Sequence, residues 1–158
     1  MNGSYAQKLA ECTIELNHIQ DLINRNPLDS KVKYLTSYAV IRASGTIEQV
    51  LKEMLFDAIT VGSSDEAKTY FNRHIVEASF NPSIKKISNL LPQMSRQWNQ
   101  DFLSRTNGST QKEQLDSLVD LRNSFSHGNE ITTSIGDVVN YFDSGKWILE
   151  QLGEVISN

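Results

Sequence analysis

The sequence contains few of the residues that build disulfides, metal centres and phosphate-binding loops. Its one cysteine, Cys12, excludes an internal disulfide and any zinc or iron–sulfur site built from several cysteines. A glycine-rich phosphate loop, an HExxH segment and a paired acidic metal motif are all absent. We therefore expect no metal ion and no cofactor.

Long hydrophobic runs are also missing. No run approaches the ~18 apolar residues of a membrane-spanning helix. The opening segment, MNGSYAQKLAEC, does not have the basic and then apolar pattern of a signal peptide. We expect a cytoplasmic protein that does not use a membrane as a partner.

Residues that interrupt helices are scarce. Three prolines and eight glycines occur in 158 residues, and apolar residues recur with a helical rather than an alternating period. With 39% hydrophobic residues the chain can bury a core as one domain, residues 1–158. The pattern predicts an all-α bundle of five to six helices, over about 4–24, 31–61, 65–79, 81–105, 111–127 and 134–156, with a kink or break at Pro92.

The excess of acidic over basic residues is found at the two ends of the chain. The net charge is −4, which argues against a broad basic surface for nucleic acid. Residues 1–30 carry −2 and residues 129–158 carry −4, so residues 31–128 carry +2. A local anion site in the middle of the chain remains compatible with this distribution.

One arginine lies inside the apolar face of the predicted helix over 111–127. At about 100° per residue, Arg122 falls between Leu118 and Val119 in the apolar arc. A guanidinium in that place needs a carboxylate, a phosphate or a protein interface. On the flank of the same helix, Asn123 and His127 are four residues apart and can touch.

A glutamate occupies a similar position in the predicted helix over 31–61. Glu48 is spaced seven residues from Ile41 and from Leu55, which are apolar. A buried ion pair between Arg122 and Glu48, with a purely structural role, is one explanation of both charges. His127 also has a structural explanation, because positive charge is favourable at the end of a helix.

The segment from Arg122 to His127, RNSFSH, resembles the signature of the HEPN superfamily. That signature is an arginine, a polar residue that is often asparagine, three further residues and a histidine. The stretch from Arg42 to Glu48 resembles the Arg-x-x-x-x-x-Glu pattern of the stand-alone group named RiboL-PSP-HEPN. The resemblance covers roughly residues 31–156 and implies a HEPN-like helical bundle.

The resemblance also implies an activity. It is that of a metal-independent endoribonuclease, a homodimer joined through the motif helix with one composite RNA-cleaving cleft. Arg122 and His127 are then the catalytic residues, and Asn123, Glu48 and Ser126 are supporting or substrate-binding residues. The chemistry is reasonable, because histidine titrates near neutral pH and arginine binds phosphate oxygens through two N–H groups. The resemblance further implies a toxin or an anti-phage abortive-infection effector with a possible antitoxin or partner protein.

Two other functions stay open at this point. One is a non-catalytic HEPN module that binds a nucleotide or a protein partner. The other is a helical scaffold in which Arg122 and Glu48 form a structural pair. RNA cleavage that depends on Arg122 and His127 separates the nuclease from both.

Overall fold

Seven α-helices are found in the computed structural model, which describes residues 3–157. The helices are α1 (Gly3–Arg25), α2 (Val32–Thr60), α3 (Asp65–Phe71), α4 (Ile84–Met94), α5 (Arg96–Thr106), α6 (Gln111–Ser126) and α7 (Ile135–Ile156). A π-helical turn, Asn72–Val76, follows α3, and no strand occurs in the described range. The prediction of an all-α fold is confirmed, with more helices than the five to six expected. Within these residues, no helix combines the length and the apolar character needed to cross a membrane.

Helices α2 and α7 form the centre of the bundle. Helix α2 packs against α1, α6 and α7, and α7 also packs against α5. Small buried residues on α2, including Ala39, Ala43 and Ser44, let the neighbouring helices approach closely. The tightest approach is at Gly145 of α7, where an added Cβ would lie 2.9 Å from the side chain of Ile47. The glycine therefore sets the spacing between the two central helices.

The segment after α2 is less regular than the sequence predicts. In place of one helix over 65–79, α3 ends at Phe71, the π-helical turn follows, and residues 77–83 are irregular. Two side chains of α2 hold this segment. Lys52 Nζ donates to the carbonyl of Ala78 at 2.5 Å, and Glu48 Oε1 accepts from the N–H of Phe80 at 3.2 Å. These long-range bonds outweigh the local helical pattern.

The segment predicted as one helix over 81–105 forms two helices, but the break is not at Pro92, where the sequence predicts it. The first begins after Ser83 rather than at Asn81, because the Ser83 side chain caps it. Helix α4 continues through Pro92, and the break lies three residues later at Ser95, where the backbone is extended with φ −154° and ψ 122°. Ser95 then caps α5 in the same way.

Helices α2 and α6 lie side by side and run in opposite directions. Near the start of α6, Leu115 lies beside Ile47 in the middle of α2, and both come within 3.5 Å of a Cβ placed on Gly145. Beyond the end of α6, Glu130 lies 3.9 Å from Lys33 at the start of α2, and Phe125 and Tyr34 line one groove. The last turn of α6 therefore lies beside the first turns of α2.

Candidate active site at the end of helix α6

Helix α6 ends in a turn that fixes the last residues of the motif. The N–H of Gly128 donates to the carbonyl of Phe125 at 2.9 Å, and the N–H of Asn129 donates to the carbonyl of Ser124 at 3.1 Å. This is the Schellman arrangement, and the φ of +83° at Gly128 is one that glycine adopts without a Cβ clash. His127 is the C-cap residue of α6. The predicted end at His127, with Gly128 as the stop, agrees with the structure to within one residue.

Arg122 is half-buried near the end of α6 and has no carboxylate partner within residues 3–157. Its one side-chain hydrogen bond in that range runs from Nη1 to Asn123 Oδ1 at 3.4 Å. A guanidinium has five N–H donors, so most of its donors remain available. A half-buried cation that no acid among the described residues neutralises is suited to an anion.

The other arginines show that this state is unusual in the described part of the chain. Arg42 is also half-buried, but its Nε lies 2.7 Å from Glu15 Oε2. The remaining arginines are exposed, and one of these is paired with Glu154; they are Arg25, Arg73, Arg96 and Arg105. Among residues 3–157, Arg122 is the one half-buried arginine without an acidic partner.

His127 is exposed, and its ring makes no hydrogen bond to another described residue. It follows Arg122 by five residues, which places the two side chains about 140° apart around the helix. No hydrogen bond joins them within residues 3–157. One protomer therefore presents Arg122 and His127 on adjoining faces of the same helix end, not as a contacting pair.

Asn123 and Ser126 each contact Arg122. Asn123 is half-buried and accepts the hydrogen bond from the guanidinium. Ser126 is exposed, and its Oγ donates to the carbonyl of Arg122 at 2.9 Å. Asn123 thus helps to orient the guanidinium, whereas the Ser126 hydroxyl is occupied by the backbone of its own helix.

Glu48 is neutralised by its own helix. Its Oε1 lies 2.6 Å from Lys52 Nζ, and the two side chains are 16% and 12% exposed. The same oxygen accepts from the N–H of Phe80. The considered ion pair between Arg122 and Glu48 is not formed, because Glu48 takes the partner four residues away on α2.

The register of α2 and α6 explains why Arg122 and Glu48 do not meet. Leu115 lies beside Ile47, the residue before Glu48. Arg122 is seven residues farther along α6, which corresponds to about 10 Å of helix. Because the helices are antiparallel, Arg122 is level with Val40, well before Glu48 in α2.

Arg42 is directed towards α1 and away from the motif. In addition to its bond to Glu15, its Nη1 donates to Thr46 Oγ1 at 2.9 Å. The hydroxyl of Tyr38 also donates to Glu15. The hydrogen bonds from Tyr38 and then from Arg42 hold the pKa of Glu15 below its usual value. Arg42, the first residue of the stretch that resembles the Arg-x-x-x-x-x-Glu pattern, therefore links α2 to α1.

With this geometry in place, comparison with known proteins identifies the family. The family model described as RiboL-PSP-HEPN matches residues 7–158. The chain belongs to the RiboL-PSP-HEPN family. HEPN domains are generally ribonucleases or nucleotide-binding modules. No curated protein and no solved structure matches this RiboL-PSP-HEPN chain.

Metal ligands are not grouped in the described part of this RiboL-PSP-HEPN protein. Between residues 3 and 157, no cluster of three or more histidine, cysteine, aspartate or glutamate side chains is arranged to hold a metal ion. The polar side chains that the end of α6 presents include the guanidinium of Arg122, the amide of Asn123 and the imidazole of His127.

Part of the apolar surface near the motif is exposed. Ile41 and Phe125 share helix faces with buried residues, but they are 37% and 42% exposed. Tyr34 and Tyr38 are exposed as well. We call Tyr34, Tyr38 and Ile41 the α2 stripe, since their spacing of four and three residues places them on one face of the helix. That spacing is the signal by which the stripe can be found.

Proposed function

We propose that this RiboL-PSP-HEPN protein is a metal-independent endoribonuclease that acts as a homodimer. The observation that carries the proposal is the half-buried, unneutralised guanidinium of Arg122, with the exposed imidazole of His127 little more than one helical turn away. Arginine keeps its charge at all relevant pH values and binds phosphate oxygens in pairs. Histidine transfers protons near neutral pH. RNA cleavage needs both functions.

In the proposed reaction, His127 takes the proton of a ribose 2′-hydroxyl. The 2′-oxygen then attacks the adjacent phosphorus, and the bond between phosphorus and the 5′-oxygen of the next nucleotide breaks. His127 of the partner subunit donates a proton to that leaving oxygen. Arg122 stabilises the negative charge on the non-bridging phosphate oxygens. The products carry a 2′,3′-cyclic phosphate and a 5′-hydroxyl.

Two features support a dimer. Within one protomer, Arg122 and His127 are about 140° apart around the helix, so a second copy is needed to surround one phosphate with both kinds of group. Tyr38 and Ile41 of the α2 stripe are exposed, and apolar surfaces of this kind mark interaction sites. Glu48 takes a supporting role in this proposal, because it fixes the segment around Phe80 rather than touching RNA.

The biological role follows from the resemblance. We assign the protein to the toxins or anti-phage abortive-infection effectors, in which uncontrolled RNA cleavage stops growth. Such an enzyme requires an antitoxin or another partner protein to restrain it. Growth arrest on expression, abolished by His127→Ala, is the outcome expected. Unimpaired growth with an enzyme that is active in vitro would contradict this assignment.

The reaction is tested by incubating total RNA with the wild type, with Arg122→Ala and with His127→Ala. The wild type is expected to release fragments with 2′,3′-cyclic phosphate ends, with or without EDTA, and each of the two variants is expected to release them at about one-hundredth of the wild-type rate or less. Cleavage that stops with EDTA would overturn the metal-independent reaction. Unchanged cleavage by either variant would overturn the assignment of that residue.

The dimer is tested by sedimentation at micromolar concentration. The wild type is expected to sediment as a dimer, and Ile41→Asp is expected to shift it to a monomer. Leu103→Asp is the matched control, since Leu103 is 41% exposed, close to the 37% of Ile41, but lies on α5. A monomeric wild type would remove the composite site from the proposal.

The second candidate is a non-catalytic module that binds a nucleotide or a protein partner. The exposed α2 stripe favours it, because the same surface suits another protein. If the wild type bound RNA or nucleotide but released no RNA fragments, the protein would be such a non-catalytic module.

A further inference from the structure

We propose that an unpaired nucleobase of the RNA stacks in a groove between the start of α2 and the end of α6. We call it the terminal groove; it is lined by Lys33, Tyr34, Phe125, Gly128, Asn129 and Glu130, together with two further residues. The inference rests on the proposed function, because the RNA in question is the substrate of the neighbouring motif. It adds a specific site that selects single-stranded over paired RNA.

Two aromatic rings from different helices line the terminal groove. Tyr34 comes from α2 and is 66% exposed, and Phe125 comes from α6 and is 42% exposed. Neither ring stacks on another aromatic ring within residues 3–157. The groove encloses about 290 Å³. Small-molecule sites typically begin at about 300 Å³, so one base with part of its ribose is a suitable occupant.

The polar groups of the groove match a nucleotide. Lys33 Nζ lies 5.1 Å from the ring centre of Tyr34 and 3.9 Å from Glu130 Oε1. The ammonium can bind the phosphate of a flanking nucleotide, and the carboxylate of Glu130 and the amide of Asn129 can hydrogen-bond to the edge of a base. An aromatic surface combined with a cation is the usual arrangement for single-stranded nucleic acid.

Two residues of the terminal groove are close in the chain to the candidate catalytic residues. Gly128, which lines the groove, directly follows His127 in the chain. Phe125 lies on the same last turn of α6 as the motif. A base held in the groove therefore belongs to a nucleotide at or next to the phosphate that Arg122 binds. A base inside a duplex cannot reach the groove, so the groove would favour loops and single strands.

Affinity for an RNA that cannot be cut provides the test. The probe is a short, fluorescently labelled single strand with 2′-O-methyl riboses, which lack the attacking hydroxyl. Tyr34→Leu and Phe125→Leu are each expected to weaken binding by about 5-fold to 100-fold, the usual loss for one stacked base. Tyr34→Phe and Phe125→Tyr retain a ring and are expected to bind like the wild type. Tyr70→Leu, an exposed tyrosine on α3, is the matched control.

Removal of single bases from the probe makes the test specific. One abasic position is expected to weaken binding to the wild type as much as Tyr34→Leu does. The same abasic probe and the intact probe are expected to bind Tyr34→Leu equally, because the stacking partner is already absent. Independent, additive losses would overturn the inference.

The outcomes distinguish this inference from the proposed function. Normal probe affinity in both leucine variants would overturn the terminal groove and leave RNA cleavage by Arg122 and His127 intact. Coupling between Tyr34 and one base in a protein that cuts no RNA would overturn the nuclease and leave the groove intact. Loss of the dimer in the leucine variants, with unchanged probe affinity per protomer, would assign the groove to a second copy of the chain.

Discussion

Arg122 and Glu48 are two charges that the helical pattern places on apolar stripes. Within residues 3–157, Glu48 has an oppositely charged partner and Arg122 has none. Glu48 lies 2.6 Å from Lys52 and accepts a backbone N–H of Phe80. The guanidinium of Arg122 makes one hydrogen bond within residues 3–157, to Asn123 Oδ1 at 3.4 Å. A charge inside an apolar stripe is therefore not by itself a functional residue. The presence or absence of a compensating partner distinguishes a structural charge from one that can serve a ligand.

Removing the motif side chains is expected to have the greatest effect on activity. His127→Ala lowers the rate of RNA cleavage by about 100-fold or more, the usual contribution of a positioned proton donor or acceptor. Arg122→Ala has a comparable effect, because the charge on the phosphate loses its stabilising cation. The controls are Arg96→Ala and His18→Ala, two exposed side chains on other helices. If either motif variant cut RNA at the wild-type rate, the residue it removes would have no role in the reaction.

Removing the carboxylate of Glu48, which Lys52 neutralises, is expected to lower the stability of the fold. Glu48→Ala lowers the free energy of unfolding by about 1–3 kcal/mol, since Lys52 and the N–H of Phe80 lose their acceptor. Glu48→Gln retains an acceptor for Phe80 and loses less. Arg122→Ala loses less than Glu48→Ala, because it breaks no ion pair. Urea unfolding measures the free energy of unfolding of all three variants. If Arg122→Ala and Glu48→Ala lowered it equally, Glu48 would not be the more important of the two charges for stability.

The turn that presents His127 is expected to depend on glycine. Gly128 has a φ of +83°, so Gly128→Ala costs about 1–2 kcal/mol of stability and displaces the imidazole. Gly45 provides the contrast, because it is exposed within α2 and a Cβ there meets nothing within 4 Å. Gly45→Ala is expected to raise stability by about 0.5–1 kcal/mol. Thermal unfolding of both variants measures the change in stability. Gly128→Ala must lower it and Gly45→Ala must raise it.

The smallest effect concerns Arg42, the half-buried arginine that does have a partner. The Tyr38 hydroxyl and Arg42 lower the pKa of Glu15 from its ordinary value of 4.5, so folding favours the ionised carboxylate. That stabilisation is complete above about pH 4.5 and is lost as the pH falls through the lower value in the folded protein. Glu15→Gln is expected to flatten the acid limb of the stability curve. An acid limb identical to that of the wild type would show that the contact contributes nothing.

Local rules predicted much of the fold and the end of the motif helix. The helical period of apolar residues is sufficient for an all-α fold, and a glycine after the last periodic residue is sufficient to place the end of α6 at His127. The pairing of Glu48 with Lys52 also has a local signal, since the two are four residues apart on one helix. These features depend on neighbours in the sequence.

The remaining features depend on residues distant in the sequence. Phe80, which donates to Glu48, is 32 residues away, and no local pattern indicates that contact. Ile41 and Phe125 share faces with buried residues, but periodicity does not reveal whether another helix covers that face. Both lie where α2 and α6 lack a neighbour and remain exposed.

The central claim is that two protomers build one RNA-cleaving cleft from Arg122 and His127. The measurement is cleavage by a fixed amount of wild type after subunit exchange with an excess of the Arg122→Ala/His127→Ala double variant. The same double variant with Ile41→Asp added, which is expected not to dimerise, controls for RNA taken up by excess protein. We predict that the double variant suppresses cleavage and that the control variant does not. Undiminished cleavage in both mixtures would show that each protomer works alone and would contradict the shared cleft.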